Sequence, residues 1–568
     1  MPEATGGAGR EGNPLLPEMR IGRRRFLQGA LAAAGGLAIT GMGGRAAGHK
    51  IPAHAKHHPK HRSLPAVTQT VLDSGVVVPT ARWLVEENAK PGTNNWVVTG
   101  IQTAHAIEGY ASQVSAVPGD GLVLFVSTTA ASFHVEAYRM GYYQGLGGRL
   151  IETSDSMAGA VQAPATVTPV VNTVSCPWKP SLTMNVTSEW PPGNYLLKLV
   201  GSGGEQQYIP LTVRDDTSTA TYVMQNSVSC WQAYNLWGGY SLYYGRIPTG
   251  GQNFANRARI VSFDRPYPQT WAQGAADFFG NEFPLLYQME QIGLDMTYWT
   301  DIDLHNSPTL LGQHQALFTL GHDEYWSYEM RSAAQNALAG GTNLAFLGAN
   351  ACYRQIRLQP SSVGPNRLQA CYKNAAEDPA SRATPGLTTV DWNQSPLNNP
   401  ESTLIGSTYQ SVGANADLVI SDGSSWFWKG CGLPDGTSLP GVVQGEYDRY
   451  VPSLPAPPNV DVFGHSPVTG QNNWSDITYY SNPGAGGVLA TGMSSWVFKL
   501  SNTTKFPWNI VPQPISGVTD VLLRAMENVY GTFGAGPASE KQPSTGTWDA
   551  VYSGAAARTA SAQGTNAA

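Results

Sequence analysis

Two apolar runs, ALFTL at 316 to 320 and NLAFLGA at 343 to 349, have strand length, and the segment between them, YEMRSAAQNALAGG, has a helical composition closed by glycines. Apolar runs without alternation belong to strands buried on both faces. A strand, helix and strand in this order form a right-handed parallel crossover. The unit therefore demands a parallel sheet covered by helices. The turn after the first run reads GHDEY and the turn after the second GANACY, so both polar sets arrive at the same carboxyl edge, where open α/β sheets bind ligands.

Neighbouring segments extend the pattern. TATYVMQ (219 to 225) reads as a buried strand, FPLLYQMEQIG (283 to 293) as a helix with its apolar face at helical spacing, and LDMTYWT as another strand. Alternation of this kind predicts a doubly wound parallel sheet, flavodoxin-like in outline, over residues 216–531. Residues 355–440 are rich in Pro, Gly and Ser and read as an irregular insertion of the sort that covers a site. The sheet pattern resumes in LPGVVQGEYDRY and GGVLATGMSSWVF, and residues 532–568 read as a disordered tail. Upstream, residues 64–215 carry short strands with turn signals. After the turn at Pro118-Gly119-Asp120 comes a strand at 122 to 127, then Phe133 to Tyr138 with alternating faces, then WPPGNYLLKLVG and QQYIPLTVR. This predicts an antiparallel β-sandwich, either a structural module packed on the next domain or a binder of sugar or a partner.

Charge divides the chain. Residues 1–62 hold ten Arg/Lys against three Glu, a net of +7, and subtracting this from the overall −6 leaves −13 for the remainder. An acidic body argues against nucleic acid or anionic membrane as partner. The basic head contains Gly22-Arg23-Arg24-Arg25-Phe26-Leu27-Gln28 before a weakly apolar run, the twin-arginine export pattern. Ala53-His54-Ala55 is a candidate cleavage site. The expected organisation is a signal peptide over 1–55, a His-rich basic linker over 56–63, and an exported, extracellular or cell-envelope protein free of the membrane after cleavage. Only 13% of residues are charged, with 63 Gly, 40 Pro, 25 Tyr and 16 Trp, as suits a loop-rich extracellular protein. Five cysteines without a CxxC allow at most two disulfides and leave an odd thiol.

At the shared sheet edge Tyr325 and Tyr353, 28 residues apart, can converge, and Val442-Val443 followed by Gln444-Gly445-Glu446 offers a carboxylate. Two phenolates and a carboxylate are hard anionic oxygen donors that suit ferric iron better than zinc. The plainer reading is that the tyrosines pack at strand ends, while Asp323 and Glu324 answer the dipole of the following helix.

Several ordered strings bear on this choice: SCWQAYNLWGGYSLY (229 to 243), LGHDEYWSYEMR (320 to 331), FLGANACYRQIRL (346 to 358), VVQGEYDRY (442 to 450) and ITYYSNPGAGGVLATGMSSW (477 to 496). With AYRMGYYQGLGGRL and PPGNYLLKL upstream, the chain over about residues 65 to 530 resembles the large (beta) subunit family of N,N-dimethylformamidase. The resemblance implies a lectin-like β-sandwich ahead of a glutamine-amidotransferase-like α/β domain. It also implies hydrolysis of a small N-substituted formamide to formate and an amine, and a mononuclear ferric ion, Fe(3+), held by two Tyr and one Glu. Matched by motif, those ligands fall on Tyr325, Tyr353 and Glu446, with His322 and Asn350 beside them. The export signal and the lack of any sign of a small partner subunit depart from the family, and an oligomer is left open.

The leading expectation is an exported iron-dependent hydrolase of a small amide-type C–N bond. Its general base is expected to be His322, with Asp448 or Glu324 next. A second expectation uses Cys352 as a nucleophile after a strand. A third is a secreted carbohydrate- or partner-binding protein without catalysis.

Overall fold

The seven-stranded sheet at the centre of the molecule runs, in spatial order, Met296–Thr300, Tyr222–Asn226, Ala316–His322, Asn343–Ala349, Gly487–Ala490, Asn473–Ser481 and Asp461–Val468. Pairing is parallel from the first of these through Gly487–Ala490, and the last two strands add antiparallel. Every residue of Met296–Thr300, Tyr222–Asn226 and Asn343–Ala349 is buried, as the unbroken apolar runs require. Leu317, Phe318, Leu320, Leu344, Phe346 and Leu347 are at most 1% exposed, and each contributes roughly 1.5–3 kcal/mol by leaving water. The chain enters at Tyr222–Asn226, adds Met296–Thr300 on one side, and then crosses to Ala316–His322 on the other. The direction of winding thus reverses between Tyr222–Asn226 and Ala316–His322, opening a crevice at their carboxyl ends.

This computed structural model describes residues 67–554 other than Thr469, Asn472 and Trp508. The export signal, the linker and the last part of the tail lie outside the described residues. The molecule is a mixed α/β protein, and no helix of the described residues is long and apolar enough to cross a membrane.

The helices follow their local signals. Phe283–Ile292 has Pro284 in its first turn and ends at Gly293, whose φ of +78° is the left-handed C-cap that glycine adopts without strain. Tyr328–Ala339 starts at Ser327, whose hydroxyl accepts from the Met330 amide at 3.1 Å. Asp323 and Glu324 stand before that cap, so they are not answering the helix dipole; Glu329 occupies the first turn. Between strand and helix, Tyr325–Ser327 is extended and pairs in parallel with Arg354, Gln355 and Ile356. Where Gly321 pairs with Gly348, a Cβ on Gly348 would collide with the Gly321 carbonyl oxygen.

In the N-terminal half, a six-stranded sheet built on Ser132–Met140, Gly193–Gly201 and Gln206–Val213 faces a three-stranded sheet of Ile107–Ala111, Gly121–Thr128 and Leu182–Asn185. Leu122, Leu124, Val126, Val135, Ala137, Leu197, Leu199 and Leu211 form their common core. The other face of the larger sheet joins the core of the α/β half through Tyr138, Met140, Leu196 and Tyr208. A buried ion pair ties the halves: Arg139 donates to Glu290 at 2.8 and 3.0 Å, and Tyr298 and Asn88 donate to the same carboxylate at 2.6 and 3.1 Å.

Within 355–440 the chain is largely without helix or strand, relieved by the strands Arg354–Gln359 and Leu368–Ala370 and by Thr408–Val419, which pairs with Ser438–Arg449 outside the main sheet. One expectation about the periphery is corrected. The tail is packed as far as Gly554. Asn343 donates to the Phe533 and Gly536 carbonyls, Ala538 is fully buried, and the Tyr552 hydroxyl donates to Asp476 at 2.6 Å. Composition favoured disorder there, but these backbone and aromatic contacts offset the ordering entropy.

Candidate functional site

The crevice at the winding reversal is filled by hydroxyl and carboxyl groups from three segments. Helix Val228–Tyr234 begins just after the first strand of the sheet and brings Tyr234 to its last turn. The following loop returns with Tyr243. The Tyr234 and Tyr243 rings stack at 4.6 Å, and the Tyr234 hydroxyl meets that of Tyr243 at 2.9 Å. Between them stands Glu324, on the turn after Ala316–His322: it accepts from Tyr234 at 2.7 Å and from Tyr243 at 2.7 and 2.8 Å. Two phenols and a fully buried carboxylate thus share one point.

Three cations surround this trio. Arg354 Nε donates to Glu324 at 2.7 Å and its guanidinium bridges to Asp391. Lys373 Nζ sits 3.1 Å from the centre of the Tyr243 ring and 2.8 Å from the Tyr325 hydroxyl. His322 packs on Tyr234, ring centres 5.1 Å apart, and its Nε2 lies 2.8 Å from Glu446 and 3.7 Å from Glu324. Burial alone would push the Glu324 carboxyl up, but Arg354, Lys373, His322 and the Tyr243 hydroxyl outweigh it and hold the group down at about 2. Both phenols are pushed the other way, first by burial and then by the Glu324 charge, so they act as proton donors to the carboxylate. Lys373 is lowered to about 7 by burial and by Arg354. For His322, burial disfavours the cation, but the Cys230 sulfur and the Glu446 carboxylate outweigh it, and its pKa lies above the ordinary histidine value.

The sequence-derived ligand set is only partly gathered here. Glu446 lies on Ser438–Arg449 and lines the crevice, accepting from Asn350 Nδ2 at 3.0 Å. Tyr325 is fully buried, and its hydroxyl is engaged by Lys373. Tyr353 turns away: its phenol lies against Asp391, its ring packs at a tilt on Tyr409 with centres 5.2 Å apart, and the Arg354 guanidinium lies over it at 5.1 Å. No contact among the described residues joins Tyr353 to Tyr325 or Glu446. Tyr325 stays beside the trio, its ring centre 6.4 Å from that of Tyr234, but its hydroxyl is taken by Lys373. Glu324, rather than Tyr325, is the residue that accepts from both Tyr234 and Tyr243. The set that fits a hard cation is Tyr234, Tyr243 and Glu324: all its donors are oxygens, already mutually within hydrogen-bonding distance.

Asn350 and Asp448 have supporting positions. The Asn350 amide, on a residue with φ of +58°, donates to the Asp448 carboxylate at 2.9 and 3.1 Å. Burial pushes Asp448 up to about 8, so near neutral pH it holds the turn as a largely protonated group. Cys352 is completely buried and burial pushes its thiol up to about 12, which removes it as a nucleophile. None of the five cysteines is in a disulfide, Cys352 and Cys371 included.

Comparison with known proteins bears on the same segments. The family model described as "N,N-dimethylformamidase beta subunit-like, C-terminal" matches residues 134–506, well over half of the chain. The chain belongs to this family. Membership of the dimethylformamidase beta-subunit-like family carries with it an N,N-dimethylformamidase-like hydrolase and a small amide substrate. The matched span includes Tyr234, Tyr243, His322, Glu324, Asn350, Lys373 and Glu446. No curated protein matches the chain. Among solved structures, a cycloisomaltooligosaccharide glucanotransferase of Paenibacillus sp., complexed with cycloisomaltoheptaose, is similar at 8% identity over 68% of each chain, with a TM-score of 0.15. A likeness of that size carries no argument about fold or function.

Proposed function

We propose that this protein is an exported, iron-dependent hydrolase of a small amide-type C–N bond, with Tyr234, Tyr243 and Glu324 as the iron ligands. The observation that carries the reading is the convergence of two phenols and one carboxylate within 2.7–2.9 Å, at the carboxyl edge where the winding reverses. This is the ligand chemistry the family resemblance implies, and an all-oxygen anionic set favours ferric iron over softer ions. When bound there, the ferric ion supplies Lewis acidity that polarises a carbonyl and lowers the pKa of water.

The remaining steps belong to the chain. Arg354 holds Glu324 ionised and aimed at the tyrosines. Asn350 fixes the Glu446 carboxylate, and Glu446 in turn holds the His322 ring at the crevice. A substrate oxygen takes the hydrogen bond of the imidazole only by displacing Glu446 from Nε2. Lys373, with its amine lowered to about 7, exchanges a proton at Nζ, taking one from water and returning it to the leaving amine. Tyr234, Tyr243, His322, Lys373 and Glu446 each keep a part of their surface in solvent.

The strand order, with its reversal beside the first strand, supports a flavodoxin-like, amidotransferase-like core behind a lectin-like β-sandwich. The Arg23-Arg24 pair supports export, and changing both to Lys should lower secretion. The test of the whole reading is metal analysis of purified protein together with release of formate and amine from an N-substituted formamide. Iron well below one per chain, or no amine release from iron-loaded protein, overturns it.

A further inference from the structure

The crevice contains a second set of donors with different chemistry. Cys230 lies on helix Val228–Tyr234, one turn before Tyr234, and is 1% exposed. Its Sγ, a ring nitrogen of His322 and a carboxylate oxygen of Glu324 all lie within 4.8 Å of one another. His322 bridges the group, hydrogen-bonded to the Cys230 thiol and with Nε2 2.8 Å from Glu446 and 3.7 Å from Glu324. An imidazole set between a thiol and a carboxylate is what a cation with mixed tastes requires.

The geometry points to a second metal seat, built from Cys230, His322 and Glu324, that takes a borderline-soft divalent ion such as zinc. Sulfur, imidazole nitrogen and carboxylate oxygen are the three donor types zinc recruits, and three protein donors leave the open fourth position of a tetrahedral site. Metal–ligand bonds of about 2.0–2.3 Å put tetrahedral donors roughly 3.3–3.8 Å apart. The present separations therefore need to close by no more than about 1–1.5 Å, a shift within reach of side-chain rotation at the half-buried His322. Binding releases both the Cys230 thiol proton and the imidazolium proton of His322 to water as the Zn–S and Zn–N bonds form.

Glu324 belongs to both seats. An ion held by Cys230 and His322 takes the carboxylate that the two phenols need, and it also withdraws His322 from the open side. The two occupancies exclude each other, so zinc acts as a competitive inhibitor of iron loading. The seat stands on its own donors; its role as competitor rests on the iron reading above.

Cobalt(II) is the probe, because thiolate ligation gives it a near-ultraviolet charge-transfer band. The full chain, stripped with chelator, should develop that band to saturation at stoichiometric cobalt, and added zinc should abolish it. The band should persist in Tyr243→Phe, which leaves all three donors in place, and in Cys371→Ser, which removes a different buried thiol near Glu324. It should disappear in Cys230→Ser and fall sharply in His322→Gln. In wild-type protein coloured by iron, excess zinc should bleach the phenolate band. No cobalt–thiolate band in the wild type, or a band that survives Cys230→Ser or vanishes with Cys371→Ser, overturns the seat whatever the iron result. A cobalt band in protein that never acquires iron colour leaves the seat standing and removes the iron reading instead.

Discussion

Tyr243→Phe and Tyr353→Phe separate the ligand set assembled in space from the one matched by motif. Each substitution deletes one hydroxyl and almost no volume. The Tyr243 hydroxyl lies 2.7 and 2.8 Å from the two Glu324 oxygens and 2.9 Å from Tyr234. Removing it takes a hydrogen bond from a buried carboxylate, a change of about 1.5–3 kcal/mol for a charged acceptor. Arg354 and Tyr234 still satisfy Glu324, so the cost falls toward the lower end and the fold survives. The phenolate-to-iron absorption then comes from Tyr234 alone, and the band should weaken and shift while iron retention falls. The Tyr353 phenol lies against Asp391, and its ring packs on Tyr409 and the Arg354 guanidinium. Tyr353→Phe should keep the full band. The assay is visible absorption of protein reconstituted with ferric iron, with bound iron measured on the same samples and stability by urea denaturation. A band unchanged in Tyr243→Phe but lost in Tyr353→Phe would refute the spatial assignment and return the ligand role to the motif-matched set.

Three further outcomes rest on features outside the trio. Glu290→Gln leaves the fully buried Arg139 without its counter-charge, and breaking one side of such a pair costs about 3–5 kcal/mol; chemical denaturation should show a loss of that order, and a change below about 1 kcal/mol would mean the pair is not what joins the two halves. Asp448 carries a carboxyl raised from 3.8 to about 8 by burial. Between those values the folded chain keeps a proton that the unfolded chain has lost, so stability declines as pH rises through the window; Asp448→Asn should flatten the decline, and an unchanged profile would sink the assignment. Truncation after residue 531 removes the Phe533 and Gly536 carbonyls that receive Asn343, together with Tyr552 and its bond to Asp476. The melting temperature should fall clearly, whereas a loose tail would leave it unchanged.

The parallel core was legible because burial on both faces leaves a direct trace in the residues. ALFTL, NLAFLGA and TATYVMQ have no polar alternation, and they became adjacent strands of one sheet. The helix at 283–292 was bounded by its own glycine. What composition hid was order without apolar runs. The 355–440 segment is held by side-chain anchors such as Arg357 with Asp378, and Thr389 with Asp378, rather than by a core of its own. The tail is held by backbone carbonyls, to which sequence pattern is blind.

The site divides along the same line. Glu324, His322, Asn350 and Glu446 were legible because strand ends announce themselves, and the carboxyl edge of a parallel sheet collects the residues just past its strands. The proposed ligand set differs from the motif-matched one at neighbouring positions: Tyr325 gives its hydroxyl to Lys373, while Glu324 accepts from Tyr234 and Tyr243. The tyrosines that do reach Glu324 lie 81 and 90 residues upstream of it. They stood in the segment SCWQAYNLWGGYSLY, which comes after the first strand of the sheet and therefore opens onto the crevice where the winding reverses. That topological position was the usable signal: a short helix and loop after the strand at the reversal, carrying two tyrosines nine residues apart, point to the crevice more strongly than any tyrosine adjoining an acidic motif. Lys373 left no comparable trace. It comes from the segment after Leu368–Ala370 with a φ of +59°, and only the closure of that segment over Tyr243 and Tyr325 makes a buried lysine out of an ordinary one.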